Sequence, residues 1–231
     1  MAVTRGGPQF IPRPIGARPG GPPPWGSIPP EKRVITVAAI RSAFEGRKGE
    51  RSIVESQLGT RGSSVLAPLY EHHGEVFVVL TRRGQDLRAH QGEVCFPGGL
   101  REGAESLAAA ALRETNEEIG LDRADVEVLG ELDHLMTVGS RSYIVPHVGL
   151  VGGGRPVLTP NPSEVDAVLH VPLAELLLDD VYREERWTFL GAERSVFFFE
   201  LVGDTVWGAT AAMLRQFLAL ALGRPATIDH L

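Results

Sequence analysis

Apolar residues recur at two different periods along this chain, one helical and one strand-like. Near the start, Val34, Val37, Ile40 and Phe44 sit three or four positions apart, which predicts an amphipathic helix over 34–47 with Gly46 and Gly49 at its end. The period then shortens. Residues 63–70 and 75–82 read as strands joined by a turn at His72-His73-Gly74. Val76-Phe77-Val78-Val79-Leu80 is apolar throughout, so that strand should be covered on both faces. Further strands are expected over 93–96, 126–138, 143–151 and 165–171, with a hairpin over 186–190 and 194–201. Helical spacing returns over 106–119, where Ser106 suits an N-cap and Gly120 a stop. A short helix is expected over 172–178. A terminal one over 206–222 carries Leu214, Phe217, Leu218 and Leu222 on a packing face. Strands interspersed with a few helices indicate an α/β fold with a mixed sheet between helices. No internal repeat is evident.

Residues 1–33 break the pattern. They are rich in Pro and Gly, including Gly20-Gly21-Pro22-Pro23-Pro24, and such a segment can bury little. It is expected to be a disordered tail, with Phe10 and Trp25 as its only anchors, ahead of a folded domain over 34–231. The arginines and lack of acids in residues 1–30 are features of an organelle transit peptide, but the prolines there spoil an amphipathic helix. The rest of the composition is that of a globular protein: 231 residues, 43% hydrophobic, mean hydropathy −0.01. No apolar run reaches the roughly 18 residues of a membrane span, so no membrane partner is expected. A net charge of −6 argues against a nucleic-acid partner, which needs a concentrated basic surface. It does not argue against a small phosphate-bearing ligand. The single cysteine, Cys95, excludes an internal disulfide and points to a reducing, cytoplasmic setting.

The 106–119 helix carries the chemistry. Residues turn by about 100° each, so Leu107, Ala108, Leu112, Thr115 and Ile119 fall on one core stripe. Glu114, Glu117 and Glu118 fall on another. Like charges three and four residues apart repel, a cost relieved by a cation among them. Oxygen-only ligand sets suit hard ions such as Mg²⁺ or Mn²⁺. Just upstream, Gly98 and Gly99 let backbone approach a ligand closely and expose a bare carbonyl. Three glutamates alone would equally fit a solvated acidic face. The full set of Gly99, Glu105, Arg113, Glu114, Glu117, Glu118 and Gly120 is far more specific.

That spacing resembles the signature of Nudix hydrolases, departing from it only at Thr115, where the family usually carries a larger aliphatic residue. The resemblance implies an α/β/α sandwich with a mixed sheet. It also implies hydrolysis of a diphosphate by a water activated with divalent metal ions. On this reading Glu114, Glu117 and Glu118 hold Mg²⁺ or Mn²⁺, with the Gly98 carbonyl as a further ligand. Gly99, Glu105 and Arg113 brace the site. Glu117 and Glu118 are catalytic, joined by Glu164 from the Pro160-Asn161-Pro162-Ser163 loop as ligand or base.

The segment before the signature is similar to the coenzyme A diphosphatase branch of the family. Leu80, Thr81, Arg83, Arg88, Gly92 and Phe96-Pro97-Gly98-Gly99 match it, while Val79 and Gly84 depart mildly. Asn161 to Val165 and Val206 to Thr210 are similar to that branch too. Arg83 and Arg88 would then contact substrate phosphates, although strand-end arginines also form plain surface ion pairs. The implied partner is a small nucleotide of coenzyme A type. It would be cut to 3′,5′-ADP and phosphopantetheine, or the acyl form. Two alternatives stand beside it: another nucleoside diphosphate derivative (NADH, ADP-ribose or a capped RNA end), or a Nudix-fold protein that senses a nucleotide without cutting it. His90 and Cys95 read as structural residues, and Trp187 and Phe189 as core rather than base-stacking platforms. Edge strands and the 34–47 helix are compatible with a homodimer.

Overall fold

The computed structural model describes residues 4–50, 62–87, 90–136, 143–189 and 191–227. In chain order the elements are β1 (Arg18–Pro19), α1 (Val37–Phe44), β2 (Gly62–His72), β3 (Glu75–Arg83), β4 (Val94–Cys95), β5 (Gly98–Leu100) and α2 (Leu107–Ile119). There follow β6 (Val126–Glu131), β7 (Leu135–Met136), β8 (Tyr143–Val151), β9 (Val165–Pro172) and α3 (Leu173–Leu176). The chain continues through β10 (Tyr182–Phe189), β11 (Ala192–Glu200), β12 (Thr205–Trp207) and α4 (Gly208–Ala221).

The central sheet runs β4-β3-β2-β8-β6, with β9 paired to β3, β5 to β2 and β7 to β8. β2 and β8 are parallel and the other described pairings antiparallel, which makes the sheet mixed. The β2–β3 hairpin turns at His73 and Gly74, whose φ values of 52° and 79° match the positive values a two-residue hairpin turn needs. Alternate residues of β3 feed two cores. Val76, Val78 and Leu80 join the larger one with Phe44, Phe217 and Leu218, while Val79 packs opposite with Tyr70 and Ile119. The apolar run Val76–Leu80 is therefore covered on both faces. α2 lies on the smaller core. A second antiparallel sheet, β1-β10-β11-β12, packs with α4 on the larger one.

Residues 4–33 are not a loose tail. Gly6 bridges Val202, β1 pairs with the edge of β10, and Trp25 is fully buried, its ring 5.5 Å from Tyr182 and 6.4 Å from Phe199. Arg33 is also buried, donating to the carbonyls of Ile28 and Leu177. The expectation of disorder weighed prolines against apolar content. Yet a sheet edge asks few donors of a Pro-rich strand, and one Trp buries as much as several smaller side chains. Residues 1–3 lie outside the described residues.

Other boundaries shift for tertiary reasons. The 34–47 helix is confined to Val37–Phe44, capped by Thr36 accepting from the Ala39 N–H, and Val34 is exposed. The 126–138 strand divides into β6 and β7, with 137 and 138 outside the described residues. The terminal helix starts at Gly208 because Thr205–Trp207 pair with β11. None of the helices described is long and apolar enough to cross a membrane.

Candidate active site

α2 begins and ends on local chemistry. Ser106 Oγ accepts from the Ala109 N–H, and Gly120 closes the helix at φ 70°. Its buried face is Ala110, Ala111, Thr115, Glu118 and Ile119, while Ala108 and Leu112 are only half-buried. The helix is thus rotated from the stripe that periodicity suggests, and Thr115 satisfies its hydroxyl on the Ala111 carbonyl. The rotation separates the three glutamates. Glu118 is buried at 5% exposure, Glu114 half-buried, and the Glu117 side chain 55% exposed.

β5 runs beneath this helix, and its two glycines differ in purpose. Gly98 has φ 150°, and a Cβ there would strike the Ser64 carbonyl of β2. Its N–H donates to Glu118 Oε2 at 3.3 Å. Gly99 has no such backbone demand, but a Cβ there would lie 2.5 Å from the Glu114 carboxyl carbon. Burial pushes Glu118 up to about 7, opposed by Arg83 and the Gly98 N–H. Burial raises Glu114 too, and Arg113 opposes it.

Arg113 fans out over the outer carboxylates. It reaches Glu105 at 2.9 Å, Glu114 and Glu117 at 3.0 Å, and the Leu100 carbonyl at 3.0 Å. Its hydrogen bonds, with one from the Glu102 N–H, hold Glu105 below the usual carboxylate range. The arginine therefore ties the β5–α2 loop to the helix.

Glu164 reaches the same place through a loop docked on the end of α2. The Thr159 N–H donates to the Ile119 carbonyl and the Asn161 N–H to the Glu118 carbonyl, both at 2.8 Å. Asn161 Oδ1 accepts from Ser163, and the Gly84 N–H donates to the Glu164 carbonyl. Glu164 ends close enough that its charge raises both Glu114 and Glu118. The Asn-Pro-Ser turn signal accounts for the loop itself, and its docking on α2 is set by the backbone bonds to Glu118 and Ile119.

The paired arginines of β3 part company. Arg82 is consumed by Asp166 at 2.8 Å and Asp204 at 3.1 Å on one face. Arg83 lies on the other, beside Cys95 and Glu118, and its buried Nε finds no partner among the described residues. Arg88 lies outside the described residues. Burial pushes the Cys95 thiol up to about 11, which fits a structural cysteine. His90 pairs with Glu93. Trp187 contacts Phe198 and Trp207, whereas Phe189 is exposed rather than core.

As the side chains stand, no three acidic, His or Cys residues among those described converge as a ready-made ion cage; Arg113 holds Glu114 and Glu117. The donor set nevertheless suits a hard cation. It is all oxygen, partly buried, and its carboxylates oppose one another's ionisation.

Comparison with known proteins agrees with this geometry. The NUDIX domain model matches residues 60–191. Nudix hydrolase 3 of Caenorhabditis elegans is 34% identical over 82% of this chain and 84% of its own length. Nudix hydrolase 22, chloroplastic, of Arabidopsis thaliana is 34% identical over 76% of this chain, which spans 60% of that relative. The peroxisomal coenzyme A diphosphatase NUDT7 of Mus musculus is 34% identical over 67% of this chain and 65% of its own.

Proposed function

The chain belongs to the Nudix family, and on that premise we propose that it hydrolyses the diphosphate of coenzyme A or an acyl-coenzyme A. The products are 3′,5′-ADP and phosphopantetheine, or its acyl form. The observation that carries this reading is Arg83. It lies in the segment similar to the coenzyme A branch, beside Glu118, with a buried Nε that a substrate phosphate can satisfy. The similarity to a relative named as a coenzyme A diphosphatase supports the same choice.

Nudix hydrolases are generally divalent-metal dependent. Here Glu114, Glu117 and Glu118, with the Gly98 carbonyl, would hold Mg²⁺ or Mn²⁺. When bound, the ion supplies a more acidic water and neutralises charge on the phosphoryl oxygens. The residues of the chain do the rest. Arg83, with Arg88, holds the substrate phosphates. Glu164 takes the proton from the attacking water as its oxygen bonds to phosphorus, and the bridging P–O bond breaks towards the leaving phosphate. Arg113, Glu105 and Gly99 keep the outer carboxylates in place. The lone thiol Cys95 is consistent with a cytoplasmic setting.

The test is product analysis by mass spectrometry with Mg²⁺ or Mn²⁺, using coenzyme A, acetyl-coenzyme A, NADH and ADP-ribose. Release of 3′,5′-ADP from coenzyme A, lost in Glu117→Gln, is the expected result. Turnover of NADH or ADP-ribose with coenzyme A untouched overturns the substrate. Nucleotide binding without any turnover overturns the reaction and favours a sensor.

A further inference from the structure

The N-terminal segment reaches the substrate side of the molecule through one side chain. Gly6 donates to the Leu201 carbonyl at 2.7 Å and Gly7 to Thr205 Oγ1 at 3.1 Å, which brings Gln9 against the β11–β12 turn. A Cβ on Gly7 would collide with the Gly203 carbonyl, so this close approach needs glycine. The Gln9 amide is then fully used. Its Oε1 accepts from the Thr205 N–H at 2.8 Å, and its Nε2 donates to Asp204 Oδ1 at 2.7 Å and to the Gly92 carbonyl at 3.2 Å.

Those two acceptors flank Arg83. Gly92 closes the turn after β3, its N–H donating to the Arg83 carbonyl at 3.2 Å, while the Arg83 N–H donates to the Glu93 carbonyl at 2.9 Å. Asp204 accepts from Arg82, the residue before Arg83, at the irregularity where β3 shifts register against β9. Gln9 therefore links the backbone partner of the Arg83 carbonyl, Gly92, to Asp204 in the β11–β12 turn, the carboxylate that holds the Arg82 side chain. The Arg83 side chain itself is left with a free Nε beside Glu118.

From this we infer that Gln9 is a positioning residue, holding the β3 end and its turn so that Arg83 is presented to a substrate phosphate. This makes the 6–9 stretch of the N-terminal segment part of the substrate-binding apparatus. The inference rests on the reading of Arg83 as a phosphate contact. Substrate must fix Arg83 wherever the backbone leaves it, so a looser turn weakens binding more than the chemical step.

The experiment compares Gln9→Ala with Arg13→Ala, which breaks the same segment's ion pair to Glu185 away from Gly92. Steady-state kinetics are measured with whichever diphosphate the protein turns over, and amide hydrogen exchange over 90–95. In Gln9→Ala, KM rises about threefold to tenfold with kcat within about twofold, the effect of losing the neutral hydrogen bond to the Gly92 carbonyl. Exchange at Gly92 and Glu93 speeds up. Arg13→Ala changes neither, and Gln9→Glu, which cannot donate to Gly92, behaves like Gln9→Ala. Unchanged KM and exchange in Gln9→Ala overturn the inference. So does an equal KM rise in Arg13→Ala, which would make the segment a general support. If no diphosphate is turned over, the proposed reaction fails, while the exchange comparison still decides whether Gln9 holds the turn.

Discussion

Replacing Gly99 with alanine separates the placement of the site from the stability of the fold. The new methyl would lie 2.5 Å from the Glu114 carboxyl carbon and 2.6 and 2.7 Å from its two oxygens, whereas ordinary contact begins at 3.4 Å. The carboxyl group must therefore retreat by about 1 Å (3.4 minus 2.5). It is the far end of a flexible, half-buried side chain, and the Arg113 Nη1 that donates to it can follow it. The stability cost should stay within about 1 kcal/mol, the worth of one relaxed hydrogen bond. The effect on turnover should be far larger, because a displacement of about 1 Å in a catalytic array can cost about a hundredfold in rate. The neighbouring Gly98→Ala is the contrast. There φ is 150° and the methyl meets the Ser64 carbonyl, backbone of the central sheet, so about 3 kcal/mol of stability should be lost. The assay pairs thermal melts with metal-dependent diphosphate hydrolysis. Gly99→Ala with near-normal turnover, or with a melt as depressed as that of Gly98→Ala, would refute the reasoning.

Three further expectations follow from the same contacts. Trp25→Ala should lower stability by about 3–5 kcal/mol in denaturant titration, as for any fully buried aromatic; a change under about 1 kcal/mol would mean the N-terminal segment is not part of the core. Glu118→Gln should keep or raise the melting temperature, since it removes a charge that burial disfavours, while turnover drops about a thousandfold; a collapsed melt would show a structural carboxylate instead. His147 is buried against Ser64 Oγ at 3.0 Å, and burial holds its imidazole below the usual range. The unfolded chain therefore takes up a proton that the folded chain refuses, so stability falls as pH drops below about 6.5. His147→Gln should flatten the slope of unfolding free energy between about pH 7 and 5, and an unchanged slope would exclude His147 as its source.

What could be read in the sequence was what local chemistry decides. Ser106 and Gly120 delimit α2 because a hydroxyl caps free N–H groups and only glycine takes φ 70° cheaply. Arg113 and Glu105 were legible only as braces implied by the family resemblance, and it is the structure that pairs them across the loop. What needed the structure was set by distant partners. Trp25 is buried by Tyr182 and Phe199, far along the chain, and nothing within 1–33 signals that. The burial of Glu118 follows from how α2 beds on β2 and β5, which helical periodicity can suggest only to within a residue or so. Arg82 and Arg83 were adjacent letters of one motif. Strand alternation separates their faces, but only Asp166 and Asp204 show which one is already spoken for.

The charges around α2 explain why this helix is both awkward and stable. Glu105, Glu114, Glu117, Glu118 and Glu164 face Arg113 and Arg83. Arg113 serves the rim, where its bonds to Glu105, Glu114 and Glu117 each act across half-exposed groups and contribute modestly. The inner carboxylates have less help. Glu118 has one backbone donor and a neighbouring guanidinium, and it is pushed up to about 7 by a burial that neither offsets. Structure alone would favour an apolar residue there, since α2 already packs through Ala110, Ala111, Thr115 and Ile119. A buried carboxylate set against two others is a standing cost, which the cation of the proposed function would relieve by turning mutual repulsion into shared attraction. That cost is carried by the cores on either side of the central sheet, which do not depend on the site, and by the loop that docks Asn161 and Glu164 onto the end of α2. The acids are held in place by the fold rather than by one another, so a neutral isostere at Glu118 should spare the structure, and on the proposed function it would also remove a ligand of the cation.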